Sequence, residues 1–480
     1  MRPLELILAL TVAACGIRLA GLGRAAGMQW IHGVQLVLAA VLLVQILVEG
    51  WRWQMFPAYM AALLIAGIPW LPGWSAQPAQ TLFWSVTASV ALLAVSVLSC
   101  LLLPFVALQP ARGPFAIGVT TISVRVSRPP DVGPERASAG SELNAAPSVR
   151  LWYPADAPGR PRFETLVRQR IADRLRAMPT TPAVPDAPVA PSATKFPVLI
   201  YFDGWPEDKI QNIALLRELV SRGFAVAAVQ YPARLPGTSD ASDARLRAEL
   251  AREMLEYSSD AAFERAVQLN HSRARTHARD AIAVLDALTV LDAQSGNPFA
   301  QRLDTQRAGM LGFSFGGAIA AEASRLDPRI KAAINMDGRH WGDALVQGVE
   351  RPYMFISEEL AMPTAADLGS AKPRIRYEAQ LDQADYSQLA ANLQARGGVH
   401  VTIAGTAHMN FTDFPLRSAL RRLSLGGKID ARRAQQIIQA YVIEFFSRYL
   451  SSTQPRPVDS PWPKFPEARV QVWPAPEASK

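Results

Sequence analysis

Residues 312–316 read Gly-Phe-Ser-Phe-Gly, and with their flanks they constrain this chain more than any other feature. Before them, residues 306–311 are short and part apolar, as a buried strand is; after them, residues 317–323 are small and helix-forming. A G-x-S-x-G run between a strand and a helix forces its serine into a tight, strained turn at the end of a sheet. Glycines flank the serine because side chains there would collide with strand and helix. The turn lifts the hydroxyl out of the interior and aims the next backbone N–H at a developing oxyanion. The five letters alone are a weak signal, and a buried serine in a plain turn would carry them too. The strand before and the helix after make Ser314 a candidate nucleophile.

A serine hydroxyl attacks poorly unless a base takes its proton and an acid orients that base. The chain order that accompanies this turn is serine, acid, histidine. Residues 330–336 read as a strand ending in Asp337-Gly338, an acid at a strand's carboxyl end with a glycine to turn the chain. Asp343 competes but lies inside a loop, and a turn aspartate bonding its own backbone is the plain alternative for Asp337. Of six histidines, His32 sits in an apolar N-terminal segment and His271 and His277 in a charged helical stretch. His340 follows Asp337, and His400 is within a strand-like run. His408 follows that last strand, in a loop opened by Gly405, where a base must stand to reach Ser314. For the oxyanion, the apolar strand 196–202 runs into Asp203-Gly204-Trp205-Pro206. The backbone amides of Trp205 and Phe315 are the candidate donors.

These stretches resemble one family, the platelet-activating-factor acetylhydrolase-like branch (plasma, group VII phospholipase A2 type) of the α/β-hydrolases. Residues 113–121 look like its opening strand and 149–155 like its second. Residues 197–204 are similar to its third strand and oxyanion loop, and 222–229 to the strand after. Gly312 to Gly317 matches its elbow, and Met336-Asp337-Gly338 and residues 407–414 look like its acid and histidine segments. The likeness covers about residues 113 to 450. By motif position it implies Ser314 as nucleophile, Asp337 as acid, His408 as base, and Trp205 and Phe315 as oxyanion amides. It departs at Asp203, where the family has a histidine, at Gln230-Tyr231 in place of Glu-His, and at Arg339-His340-Trp341. These changes line the substrate side, so Arg339, His340 and Trp341 are candidate pocket residues. Trp341 offers a ring to an acyl group and Arg339 a cation to an anionic substituent.

The first hundred residues differ in kind. Apolar blocks at about 27–49, 54–73 and 81–104 are each near the ~20 residues that span a bilayer. Trp30, Trp51, Trp53, Trp70, Trp74 and Trp84 cluster at their ends, as an aromatic belt does. Leu4 to Ile17, interrupted by Arg18, is a fourth, tilted span or a signal-peptide core. The arginines do not separate three spans from four, so the side on which the rest of the chain lies stays open.

Both cysteines, Cys15 and Cys100, fall in this segment, so the larger region has no disulfide or thiolate chemistry. Net charge is +8; residues 1–108 hold four arginines and two glutamates, leaving about +6 elsewhere. A mild basic excess suits anionic headgroups. No clustered basic stripe for nucleic acid is visible.

The expected architecture is an all-α transmembrane region of three to four helices over 1–108, then an α/β-hydrolase domain over 109–452. That domain is a mostly parallel sheet with helices on both faces. A Pro-rich, extended tail follows over 453–480. Residues 178–195 read as a surface loop. Residues 236–292 read as a long charged helical stretch that either packs on the sheet or caps the pocket.

The reading is a serine ester hydrolase of a bacterial inner membrane, with an acyl-enzyme intermediate and short-acyl or lipid-like esters as substrates. It calls for no cofactor and no metal, and its partners are the ester and, through residues 1–108, membrane lipids. An amidase or thioesterase would use the same three residues. A non-catalytic protein of this fold is the reading from a different class.

Overall fold

The computed structural model describes residues 3–22, 28–67, 79–102, 110–124, 126, 147–156, 183–204, 210–231, 248–359, 361–417, 425–451 and 461–475. They form two compact units, one built on residues 1–108 and one on the sheet-forming remainder. Trp205, Trp70, Trp74 and residues 178–182 lie outside the described residues.

Among the described residues the first unit holds four α-helices: α1 (Pro3–Leu22), α2 (Met28–Val48), α3 (Phe56–Gly67) and α4 (Ala79–Leu102). Their shared interior is partly polar. Arg52 and Glu5, both buried, form an ion pair at 2.5 Å. The Glu49 carboxylate accepts from the backbone N–H groups of Leu4 (2.8 Å) and Glu5 (3.1 Å), satisfying donors that the first turn of α1 leaves open. Ser96 Oγ accepts from the Ala58 N–H at 2.8 Å, and the Tyr59 hydroxyl donates to Gln45. The outer face is apolar: Leu6, Leu10, Leu36, Leu47, Phe83 and Leu101 are exposed, and most exposed large apolar side chains of the protein lie in this unit.

Three to four membrane-spanning helices are expected over residues 1–108. Among the described residues one helix, Phe83–Leu102, is long and apolar enough to cross a membrane. His32–Val48 and Trp53–Gly67 are apolar but shorter. The block expected over 54–73 begins with the 3-10 turn Trp53–Met55 and continues as α3 to Gly67, and residues 68–73 lie outside the described residues. In α1, Glu5 and Arg18 interrupt the apolar run.

In the second unit the apolar runs become strands. They are β1 (Ala116–Ser123), β2 (Ser148–Ala155), β3 (Val184–Pro185), β4 (Phe196–Phe202), β5 (Ala225–Gln230), β6 (Leu303–Phe313), β7 (Ile330–Met336), β8 (Tyr353–Glu358), β9 (Gly398–Ile403) and β10 (Ala468–Trp473). They form one sheet in the order β10-β9-β8-β7-β6-β4-β5-β2-β1-β3. The centre, from β5 through β4, β6, β7 and β8 to β9, is parallel. β4 is buried at every position, as a strand covered on both faces must be. β2 runs antiparallel to β1 and β5, and β10 antiparallel to β9.

Five longer helices cover the sheet: α5 (Ile213–Ser221), α6 (Asp260–Ala293), α7 (Phe315–Leu326), α8 (Pro373–Arg396) and α9 (Ala431–Leu450). One core layer sets α6 and α7 residues such as Val284, Leu288 and Ile319 beside Val198 and Met310. The opposite layer sets α5 and α9 residues such as Leu216, Tyr441 and Phe445 beside Leu199 and Leu311. The described part of the long charged stretch thus packs on the sheet through α6. The sheet satisfies its backbone groups internally and leaves the strand ends free to carry chemistry.

The tail, set apart by its composition, supplies the edge strand β10. Val470 pairs with Val401, the Tyr441 hydroxyl donates to the Pro463 carbonyl at 2.7 Å, and the Arg448 guanidinium lies over the Trp462 ring. Truncation after residue 460 should therefore uncover the edge of β9. The expected cost is ~2 kcal/mol, a Tm lowered by a few degrees and concentration-dependent aggregation. Thermal melts and light scattering of the two chain lengths provide the check; an unchanged Tm would show that β10 contributes nothing to stability.

Candidate active site

β6 delivers Ser314 directly into α7, and the turn between them is backbone-tight. Ser314 has φ 54° and ψ −121°, a conformation non-glycine residues avoid at a cost of ~1–3 kcal/mol. Its N–H donates to the Met336 carbonyl at 2.8 Å, which ties the turn to β7. Glycine is required around it by contact. A Cβ at Gly312 would stand 2.0 Å from the Gly316 carbonyl oxygen, and one at Gly316 would stand 2.2 Å from that of Phe202. A Cβ at Gly204 would meet Ser314 Cβ at 2.9 Å, so the start of the 203–206 loop backs onto the serine.

Asp337 leaves the end of β7 in the left-handed region, at φ 57°. Its N–H donates to the Ile356 carbonyl at 2.8 Å, and its Oδ1 accepts from the Glu358 N–H at 2.8 Å. Next to it, Asn335 Oδ1 accepts from the Gly338 N–H (2.9 Å) and Asn335 Nδ2 donates to the Gly338 carbonyl (2.8 Å). Both lone-pair faces of the carboxylate are thereby aimed, and Oδ2 meets His408 Nδ1 at 2.6 Å.

His408 opens a short 3-10 turn, His408–Phe411, in the loop after β9. Asn410 Oδ1 accepts from the N–H groups of Ala407 (2.9 Å) and Gly427 (2.7 Å), which steadies that loop. His408 Nε2 lies 3.0 Å from Ser314 Oγ. Phe313 lies beside the imidazole, ring centroids 4.7 Å apart. Asp337 is 4% exposed and His408 43%, so the acid is shielded from water while the ring faces the pocket.

The other histidines are elsewhere. His32 is near Gln35. His271 accepts from the Gly342 N–H, and His277 is buried against Tyr231 and Asp280. His400 meets Ser357 Oγ at 2.9 Å, and burial lowers it to about 4. Asp343, the competing acid, is engaged by Arg275 and Arg325.

A cavity of about 460 Å³ opens over Ser314, Phe315, Asp337 and His408. Arg339 and Trp341 line it, with Glu358, Asp382 and Tyr386. His340 does not reach the cavity. It is buried between Asp385 (Nδ1 to Oδ1, 3.0 Å) and the Tyr353 hydroxyl (2.6 Å from Nε2). Arg339 is not a free cation, since its Nε and a terminal nitrogen contact Asp382 Oδ1 at 2.9 and 2.6 Å. Phe315 begins α7, while Trp205 is outside the described residues. Asp337, Glu358 and His408 each bring one oxygen or nitrogen within 4.8 Å of the others; Nδ1 and Oδ2 of that group are taken up by their mutual hydrogen bond.

Sequence reasoning missed three carboxyls. Asp382 lies on α8 and carries no sequence signal. Glu358 ends β8, and a strand-end acid is a signal that would have found it. Asp203 was noticed only as a substitution. It is buried, accepts from the Gln211 N–H at 2.8 Å and from the Tyr201 hydroxyl, and burial pushes it up to about 8. Its bond to the Gln211 N–H bridges the two ends of the segment that contains Trp205.

Parallel central strands with chemistry at their carboxyl ends, a strained serine between strand and helix, and a histidine and an aspartate in series with it define an α/β-hydrolase. Residues 125–456 match the family model described as "Platelet-activating factor acetylhydrolase, isoform II", and the chain belongs to that family. It is similar to the platelet-activating factor acetylhydrolase of Gallus gallus, 25% identical over 299 residues, 57% of this chain and 66% of that protein. It is similar to a probable 1-alkyl-2-acetylglycerophosphocholine esterase of Arthroderma benhamiae, 28% identical over 180 residues, 34% of this chain and 42% of that protein. The chain thus spans just under two thirds of the first relative's length and less than half of the second's. A ferulic acid esterase from Streptomyces cinnamoneus shares the fold with TM-score 0.51 and 25% identity, covering 76% of this chain and 98% of that one. Family and neighbour are carboxylic ester hydrolases by name, and they support that class for this chain.

The Arg339–Asp382 pair is about one-third exposed on each side. Such pairs are worth ~0.2–1 kcal/mol, so Asp382 competes only modestly with a substrate for the guanidinium. Asp382→Asn should raise kcat/KM on an anionic ester relative to a matched neutral one by about 2- to 5-fold. The measurement is that ratio in both proteins. No change in it would mean that Arg339 does not face the substrate.

Proposed function

We propose that this chain hydrolyses carboxylic esters through a Ser314–His408–Asp337 triad and an acyl-enzyme intermediate. The observation that carries the reading is the continuous hydrogen-bond chain from Ser314 Oγ through both His408 nitrogens to Asp337, at 3.0 and 2.6 Å. It stands in a cavity open to a substrate. Ser314 Oγ attacks the acyl carbonyl carbon as His408 Nε2 takes its proton. Asp337 holds Nδ1–H, which fixes the tautomer and favours the imidazolium. The oxyanion is met by the Phe315 N–H at the start of α7 and, on the resemblance, by the amide of Trp205. Collapse of the tetrahedral adduct breaks the ester C–O bond, and His408 returns the proton to the leaving alkoxide. Water, deprotonated by His408, then attacks the acyl-serine and releases the carboxylic acid.

A short-acyl or lipid-like ester suits this site. Trp341, Met254 and Leu255 supply apolar wall, and the relatives' names refer to acetyl esters of ether lipids. The helical unit, in this reading, anchors the protein in a membrane. An ion pair and buried glutamine and serine side chains inside, with leucines and phenylalanine outside, differs from a water-soluble bundle. It suits a bundle whose solvent is lipid. Phe83–Leu102 is the strongest spanning candidate.

Ser314→Ala, Asp337→Asn and His408→Ala should each lower turnover on a short-acyl ester by on the order of 10⁴-fold or more, and a double variant should lose little beyond a single one. The three should melt as the parent does. Turnover within tenfold of the parent in Ser314→Ala would end the serine mechanism.

For the anchor, sodium carbonate extraction of membranes from expressing cells should leave the protein in the pellet. Recovery in the supernatant at high salt would show that basic surface charge alone holds it there.

A further inference from the structure

A second carboxylate stands beside the three reacting groups, and the mechanism above does not use it. Glu358 is the last residue of β8. Its N–H already donates to Asp337 Oδ1 at 2.8 Å. Its side chain turns into the catalytic cavity, with one carboxylate oxygen within 4.8 Å of both an Asp337 oxygen and a His408 ring nitrogen. Glu358 therefore binds the acid through its backbone and sets its carboxylate beside the base. Among the described residues, no Lys or Arg forms an ion pair with it.

Its surroundings in the catalytic cavity come from three elements. Asp337 faces it from the end of β7, His408 from the loop after β9, and Asp382, paired with Arg339, and Tyr386 from α8. On its other side is a second, polar cavity of about 320 Å³, which shares Glu358 and Tyr386 with the first. There Glu359, His400, Glu467 and Arg469 line the wall. His400 is held neutral above about pH 4 by burial, and Glu467 is paired with Arg433.

We infer that Glu358 is an electrostatic partner of His408 that, when ionised, adds a second negative charge that favours the imidazolium formed as Ser314 gives up its proton. The inference rests on the triad reading. Burial first and the Asp337 charge second push the Glu358 carboxyl up to about 7. The sign follows from that. Below about pH 7 the group is protonated and neutral, and the added stabilisation is absent; above it the charge is present and the transition state gains.

Glu358→Gln keeps the size and shape of the side chain and removes the charge. The ratio of parent to variant kcat on a neutral short-acyl ester should rise from near 1 at pH 5.5 to on the order of 5- to 10-fold at pH 8.5, with KM changed by less than about twofold. Glu358→Asp, which keeps the charge at shorter reach, should retain the rise of kcat through pH 7. A parent-to-Gln ratio that is flat across this range, at any value, would reduce Glu358 to a purely structural group and overturn the inference. Should Glu358→Gln melt well below the parent, Glu358→Asp decides: loss of the rise through pH 7 overturns it. Ser314→Ala in the same series separates the two levels. Activity there at every pH would sink the triad reading itself, whereas an inactive Ser314→Ala with a flat Glu358→Gln ratio sinks only the role of Glu358.

Discussion

The close approach of the β6–α7 turn to its neighbours is the constraint on which the rest of the second unit depends. Gly312, Gly316 and Gly338 each leave room where a Cβ would fall about 2 Å from a backbone carbonyl oxygen. Ser314 can hold φ 54° only because β4 and β7 close on both sides of it and its N–H is tied to Met336. A strained residue persists where its surroundings over-determine it. The same packing sets Asn335 against Gly317 and lets its side chain fasten the Gly338 turn, from which Asp337 projects. Serine and acid are thus positioned by one piece of packing rather than by two independent loops.

The base is held differently. His408 rides on a loop after β9, and its placement depends on side chains: Asn410 bonds the loop to itself and Asp337 takes the ring. A base that must accept, hold and return a proton needs a ring that can adjust, while an attacking oxygen needs a fixed line of approach. The rigid elbow and the tethered loop meet those two needs.

The cavity wall combines apolar surface with an unusual density of carboxyls. Asp337 and Asp382 are accounted for by His408 and Arg339, and His340 serves to hold Asp385 rather than to meet substrate. The helical unit buries an ion pair within a largely apolar interior and exposes many leucines on its outside. A low-dielectric surrounding makes the pairing of Arg52 with Glu5 obligatory, since neither charge is tolerated alone.

Much of this was legible in the sequence, for particular reasons. The elbow, the acid at a strand's end and the histidine after the last parallel strand each carry a local signature: glycine where the backbone is tight, apolar runs where a strand is covered on both faces. Ser314, Asp337 and His408 could be named because local geometry dictates residue type there. Other features depend on partners far away in the chain. That Ala468–Trp473 closes the sheet beside β9 is a pairing across some seventy residues, and composition suggested only an extended tail. Arg339 looked like a free cation until α8 brought Asp382 to it, and His340 looked like a pocket residue until Asp385 and Tyr353 enclosed it. Glu358 drew no notice because its meaning lies in its distance from Asp337 and His408. Sequence determines what backbone strain and burial demand at a position; which charges meet is decided by tertiary packing, because Coulomb interactions depend on distance in space and not on separation along the chain.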